Sequence, residues 1–497
     1  MNKIALRSTL WTGATAYFSQ ASSIIVALLT VRLASQYLPQ QEFGLWAFTY
    51  SSVGYFFLLE MGVGGSLSRL LGEPLAVGNQ AETNGWFTLA FLITSLQAIV
   101  IFAFGMLARD FIISFSQIPE SLRGDMRYLW LWVLVSRCAA QPFSMLSAVL
   151  YAQNRVYLQN IVLTIAGIAN FLFFWWMLSH GKGVFSYGYS LAVFNIIVIG
   201  GWIFAVISGP HRIWFSIDHI PWPQVKYVFG YSMGVFGISM AGQITALSQT
   251  MILTKILGLD AAAAYNVTSR IPGMFPSLLM RPFDAFVPRW QLAVCSGDDR
   301  LARSEFPTLF RFSMLLTFAA FIFVAVANPE FICWWTKPAY YGGLLLNILL
   351  AAVLPYQCFR ACYGSVFNIF KRIRGFSIVS VLCAALEIAC SIVFVKRFGI
   401  VGIPLGVLVA GILSLVWFCA IYGSKLICVN PIREFLRDAV WCFPLAGAAL
   451  LIAFARDPAI THVDYLRFIS YSVIATCLGA PLVFRAGKLL WKIRNAS

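Results

Sequence analysis

Long apolar stretches alternate with short polar connections over the whole chain. By length and spacing they predict fourteen membrane helices, at 10–34, 43–66, 84–108, 127–151, 156–179, 184–208, 225–254, 261–288, 307–327, 341–368, 376–395, 400–422, 435–455 and 465–484. Each is close to the roughly 20 residues a helix needs to cross the hydrocarbon core. In lipid the backbone must satisfy its own polar groups, so only helices or a closed barrel can span. A barrel would show segments of about ten residues with alternating polarity, and that pattern is absent. The longest connections, 109–126, 209–224 and 289–306, leave no room for a soluble domain.

The first stretch follows Lys3 and Arg7 and resembles a secretory leader in outline. It outruns the usual apolar core of about 7–15 residues, and Arg32 stands where a small-residue cleavage site would fall, so it is expected to remain as the first span.

Composition agrees with the pattern. The 497 residues are 60% hydrophobic and 11% charged, with a mean hydropathy of +0.80, against about 25% charged residues in a soluble domain. The net charge of +16 is dispersed between apolar runs instead of gathered on one soluble face. Phospholipid headgroups, not nucleic acid, are therefore the expected counterions. Lys and Arg are about twice as frequent in the connections that share a side with the N-terminus, which places both termini in the cytoplasm. Most of the 11 cysteines lie inside apolar runs and read as small hydrophobes. Cys358 and Cys362 are one helical turn apart but have no His or acidic companion, so no metal is expected.

The segment 209–224 mixes Trp214, Trp222, Pro221 and Pro223 with scattered charge, as suits a linker lying in the membrane interface. It follows the sixth span. The first span pair also aligns with a later segment, matching Leu38 to Leu257, Thr49 to Thr268, Gly54 to Gly273 and Met61 to Met280. Together these predict parallel repeats: a six-helix bundle over 1–208, the linker 209–224, a second bundle over 225–422, and an appended pair with a cytoplasmic tail over 423–497.

Ionisable groups inside spans are costly, about 2.5–3.5 kcal/mol at a helix centre, and so mark function or pairing. Arg137 lies beside Gln141 and Pro142; Arg270 beside Asn266 and Pro272; Arg360 beside Pro355 and Gln357. Each has a polar neighbour at helical spacing and a proline able to bend its helix. Glu60, Asp284 and Glu387 are the acids available as ion-pair partners or as sites for a coupling ion. Because intramembrane acids are few, the arginines predict a cationic, substrate-binding cavity formed by Arg270, Arg360 and Arg137 with Asn266 and Gln357. No catalytic residues are expected: Walker, HExxH and GxSxG motifs are all missing, and all four histidines fall in connections.

Phe43-Gly44-Leu45-Trp46 at the start of the second span and Glu60-Met61-Gly62-Val63-Gly64 at its end, with Ala264-Tyr265-Asn266-Val267-Thr268-Ser269-Arg270-Ile271 in the second half, resemble the oligosaccharide flippases of the multidrug/oligosaccharidyl-lipid/polysaccharide (MOP) exporter superfamily. That resemblance implies an all-α membrane protein with two six-helix bundles in a V and two further C-terminal helices. It implies alternating access that moves polyprenyl-pyrophosphate-linked oligosaccharide from the cytoplasmic to the periplasmic leaflet of a bacterial inner membrane. The expected partners are this lipid-linked substrate, membrane lipids and other polysaccharide-assembly proteins. No cofactor is expected beyond coupling to a Na+ or H+ gradient. A drug/cation antiporter of the same superfamily and a membrane glycan polymerase or ligase are the alternatives.

Overall fold

In the computed structural model the described residues are 3–60, 71, 74–75, 78–116, 118–153, 155–209, 213–222, 225–284, 286–295, 299–370, 372–428, 431–455 and 465–496. All regular structure among them is helical. Among the described residues ten helical stretches are long and apolar enough to cross a membrane, so this is a multi-pass membrane protein. Of the fourteen expected spans, 261–288 is divided by short breaks and 376–395 and 400–422 run together as one stretch, while 43–66 and 225–254 include positions whose residues or side chains lie outside those described. The chain separates into two compact units, residues 1–236 and 237–497.

In the first unit, α1 (Lys3–Tyr37) precedes α2 (Gln40–Phe56), which tightens into a 3-10 turn at Phe57–Glu60. The 36-residue α3 (Gln80–Phe115) is capped by Asn79, whose side chain accepts from the Glu82 N–H. Then come α4 (Glu120–Ala140), a 3-10 turn at Gln141–Ser144 where Pro142 interrupts the ladder, α5 (Met145–Ala152), α6 (Val156–Ser179) and α7 (Phe185–Ile207). Helix α6 packs between α1 and α7, and α4 packs on α2, α3 and α7. One core joins Trp86, Phe87, Met145 and Leu150 to Ile220 of the linker. Polar clamps hold the linker on α3. The Trp214 N–H donates to Asn84 Oδ1 (3.1 Å) and the Ser216 N–H to Thr88 Oγ1 (2.8 Å), while Phe215 meets Phe87 and Phe91.

The second unit contains most of α8 (Val225–Leu257), then α9 (Leu259–Thr268), α10 (Arg270–Leu279), α11 (Arg281–Asp284) and α12 (Val287–Cys295). Gly258, at φ +90°, makes the one-residue turn between α8 and α9. The expected span 261–288 is thus divided among α9, α10, α11 and the first residues of α12. The expected connection 289–306 is also corrected, because it contains most of α12 and the start of α13 (Arg300–Trp335). The apolar side chains there, Trp290 and Phe306, have a core to enter with Phe283 and Tyr363. Beyond lie α14 (Leu344–Ile369), α15 (Ile373–Phe398), α16 (Gly402–Gly411), two π turns at Ile412–Val416 and Cys419–Gly423, α17 (Ser424–Ile427), α18 (Pro431–Phe454) and α19 (Tyr465–Ala496). Gly402 and Gly406, four apart, let α16 lie against α15: a Cβ on either would fall within 2.6 Å of α15 backbone. The last two helices, α18 and α19, pack on α13.

Candidate functional site

The candidate residues fall in both units, and each group is described within its own unit. In the first, Arg137 sits in the last turn of α4, directly before the interruption at Gln141–Ser144. Its guanidinium stacks over Phe57 (4.8 Å) and Tyr50 (5.7 Å), both from α2 and its 3-10 extension. Ring faces partly replace the hydration that a membrane arginine loses. Gln141 is buried. The Glu60 side chain and Gly62, Gly64 and Gly65 lie outside the described residues.

In the second unit Arg270 opens α10. The helix it begins packs on α14, which bears Gln357 and Arg360 three residues apart, and on α13. Arg360 reaches α8, where its Nη2 lies 3.7 Å from the place a Cβ on Gly242 would occupy. Among the described residues no carboxylate lies within ion-pair distance of Arg137 or Arg360. Asn266 is engaged within the helix pair: its Nδ2 donates to Ala262 O (2.8 Å) and to Thr250 Oγ1 of α8 (3.3 Å), while Tyr265 Oη donates to Gln249 Oε1 (2.8 Å).

The acids differ sharply in surroundings. Asp284 is exposed at the end of α11. Glu387 on α15 is 1% exposed and accepts from Tyr356 Oη (3.1 Å) and Cys383 Sγ (3.4 Å). Tyr356 lies one turn before Arg360 on α14, and its ring presses so closely on Gly411 that a Cβ there would stand 2.4 Å away. Among the described residues no Lys, Arg or His is within ion-pair distance of Glu387.

Two features had no counterpart among the residues singled out in the sequence. The first is a charged trio. Asp438 of α18 accepts two hydrogen bonds from Arg311 of α13 (2.7 and 3.0 Å) and one from Arg485 of α19 (2.8 Å), and Arg485 also stacks on Trp441. The second is a groove of about 690 Å³ among α10, α13 and α19, walled by Phe275, Leu279, Leu316, Phe323, Gly479 and Val483 among others. Its lining is almost wholly apolar, as suits a hydrocarbon occupant. Phe275 and Leu279 follow Arg270 on α10 at five and nine positions, which turns them toward the opposite side of the helix. A small-residue run, with Ala475, Gly479 and Ala480 on α19, was the available signal for this groove.

Comparison with known proteins gives three findings. The family model described as polysaccharide biosynthesis protein matches residues 9–291. No curated protein sequence matches. Among solved structures, the lipid II flippase MurJ in an inward closed conformation is similar over 97% of this chain and 99% of its own, at 16% identity and a TM-score of 0.72. An inward-facing multidrug-resistance MATE transporter of the MOP superfamily is similar over 86% and 95%, at 11% identity and a TM-score of 0.66. The Vibrio cholerae MATE transporter VcmN is similar over 87% and 100%, at 16% identity and a TM-score of 0.60. At these identities the likeness is one of fold.

Proposed function

Because the chain belongs to the polysaccharide biosynthesis protein family, we propose that it is a flippase for a lipid-linked oligosaccharide, carrying a polyprenyl-pyrophosphate-linked glycan from the cytoplasmic to the periplasmic leaflet by alternating access. In this reading it resides in a bacterial inner membrane with both termini cytoplasmic, and serves assembly of a surface polysaccharide. The observation that carries the reading is the apolar groove on α10, the same short helix that begins with Arg270. One helix thereby offers a hydrocarbon surface for a polyisoprenoid tail and a guanidinium for a diphosphate. Arginine suits that headgroup because its planar fork pairs bidentately with phosphate oxygens. Within the same unit Arg360, with Gln357 beside it, adds donors, and a cationic drug would meet repulsion from Arg270 and Arg360. Glu387 takes the coupling ion, and the gradient acts through its different affinity in the two access states.

The test is flipping in proteoliposomes that contain a polyprenyl-diphosphate-linked saccharide, scored by access of an added glycosidase to the sugar. Wild type is expected to expose inner-leaflet substrate. Arg270→Ala is expected to lose nearly all activity at normal abundance, and Arg270→Lys, which keeps charge without the fork, part of it. Full activity of Arg270→Ala discards the headgroup role. Export of a cationic dye without flipping overturns the proposed substrate class.

A further inference from the structure

The helical ladder is interrupted at Ser269, between α9 and α10. In an unbroken helix the carbonyl of Thr268 would accept from the N–H of residue 272, but that residue is Pro272 and has none. The buried side chain of Asn328 on α13 supplies the donor, with Nδ2 at 3.2 Å from Thr268 O. A related arrangement lies one helix away. Pro329 in α13 removes the donor for Ala325 O, and Asn347 of α14, fully buried, directs its Nδ2 at Val324 O (2.8 Å) and Ala325 O (3.5 Å). The two amides are joined, Asn328 Nδ2 donating to Asn347 Oδ1 at 2.7 Å. Thr268 is also held from outside the helix, its Oγ1 accepting from the Gly342 N–H (2.9 Å).

Orphaned carbonyls in a dry interior are expensive, and proline bends persist in membrane helices where neighbours re-satisfy the freed groups. We propose that Asn328 and Asn347 are a hinge bracket. Asn328 takes over the hydrogen bond that Pro272 abolishes, and Asn347, anchored on Val324 O beside Pro329, holds the Asn328 amide in place, so that the α9–α10 junction flexes during transport without exposing a bare carbonyl, and Arg270, two residues beyond Thr268, moves with it. Asn328 and Asn347 are therefore positioning residues for Arg270. A purely stabilising pair would have every polar atom engaged. Here Asn328 Oδ1 is buried and accepts nothing among the described residues, leaving an acceptor free for a second geometry of the junction. The inference rests on the flippase reading for the role of Arg270, but the hydrogen-bond bracket itself does not.

The test combines a double-mutant cycle with transport. Unfolding of purified full-length protein in mixed micelles is measured for wild type, Asn328→Ala, Pro272→Ala and the double variant. Asn328→Ala is expected to raise the unfolding constant roughly ten- to a hundred-fold. In the Pro272→Ala background, where the new backbone N–H is restored to Thr268 O, the same change is expected to cost about ten-fold less. An equal cost in both backgrounds overturns the bracket. Flipping separates a hinge from a patch: Pro272→Ala is expected to fold at least as well as wild type yet transport at least about ten-fold more slowly, because the regular ladder stiffens the junction. Wild-type flipping by Pro272→Ala overturns the hinge. Should wild type itself flip no lipid-linked saccharide, the flippase reading fails while the stability cycle still decides the bracket.

Discussion

Asp438→Asn isolates what fastens the last two helices to the bundle. The carboxylate is 5% exposed at its side chain and receives three charge-assisted hydrogen bonds, two of them from Arg311, whose side chain is 14% exposed. The asparagine keeps the shape and loses the charge, which leaves Arg311 among apolar neighbours without its counterion. Breaking a buried pair from one side costs about 3–5 kcal/mol. The Arg485 contribution is smaller, under ~1 kcal/mol, because its side chain is 34% exposed and better screened. Glu434, buried near Arg311, recovers part of the attraction, so the lower end, about 3 kcal/mol, is expected. That is roughly a hundred-fold in the unfolding constant at about 1.4 kcal/mol per decade. The assay is unfolding in mixed micelles, with protease accessibility of α18 and α19 as a local probe. Replacing the pair together, Arg311→Met with Asp438→Leu, removes both charges and is expected to restore much of the loss, since an apolar pair of similar volume carries no desolvation penalty. If Asp438→Asn unfolds within about three-fold of wild type, or if the double replacement is worse than the single, the trio is not the fastening that its geometry indicates.

Two further predictions follow from particular contacts. Glu387→Gln is expected to preserve abundance, because Tyr356 and Cys383 still have an oxygen to donate to, while the response of flipping to an imposed ion gradient is lost; a full gradient response in this variant removes Glu387 from coupling. Gly85→Ala is expected to pry the linker from α3, since the added Cβ would stand 1.8 Å from the His219 carbonyl oxygen. Faster proteolysis within 213–222 would report this, and an unchanged cleavage rate would show that the linker is not held by that close approach.

Much of the candidate site was legible along the chain, though unevenly. Arg137, Arg270 and Arg360 stand out because a charge inside an apolar run is conspicuous in one dimension, and the prolines beside them mark where the ladder must break. The shared environment of Glu387 was not legible, because Tyr356 and Cys383 reach it from a neighbouring helix and from the preceding turn. Nothing in the sequence sets Arg311 and Arg485 apart from the other basic residues; only folding brings them onto Asp438, 127 and 47 residues away.

The sequence by itself determined that this is a multi-pass helical membrane protein. Spanning is a local condition, about 20 apolar residues whose backbone closes on itself, and each segment meets it without reference to any other. Proline positions marked where a ladder bond must be lost, since a missing N–H is a property of one residue, although α14 continues through Pro355 and α18 through Pro444. Tertiary structure alone decided what each bend and charge does. Asn328 completes the carbonyl of Thr268 across 60 residues, and Phe275, Leu316 and Val483 meet along one groove from three helices. In an almost uniformly apolar chain, hydropathy does not distinguish a side facing lipid from one facing protein. Those pairings are set by packing and by the few polar atoms that must find partners away from water.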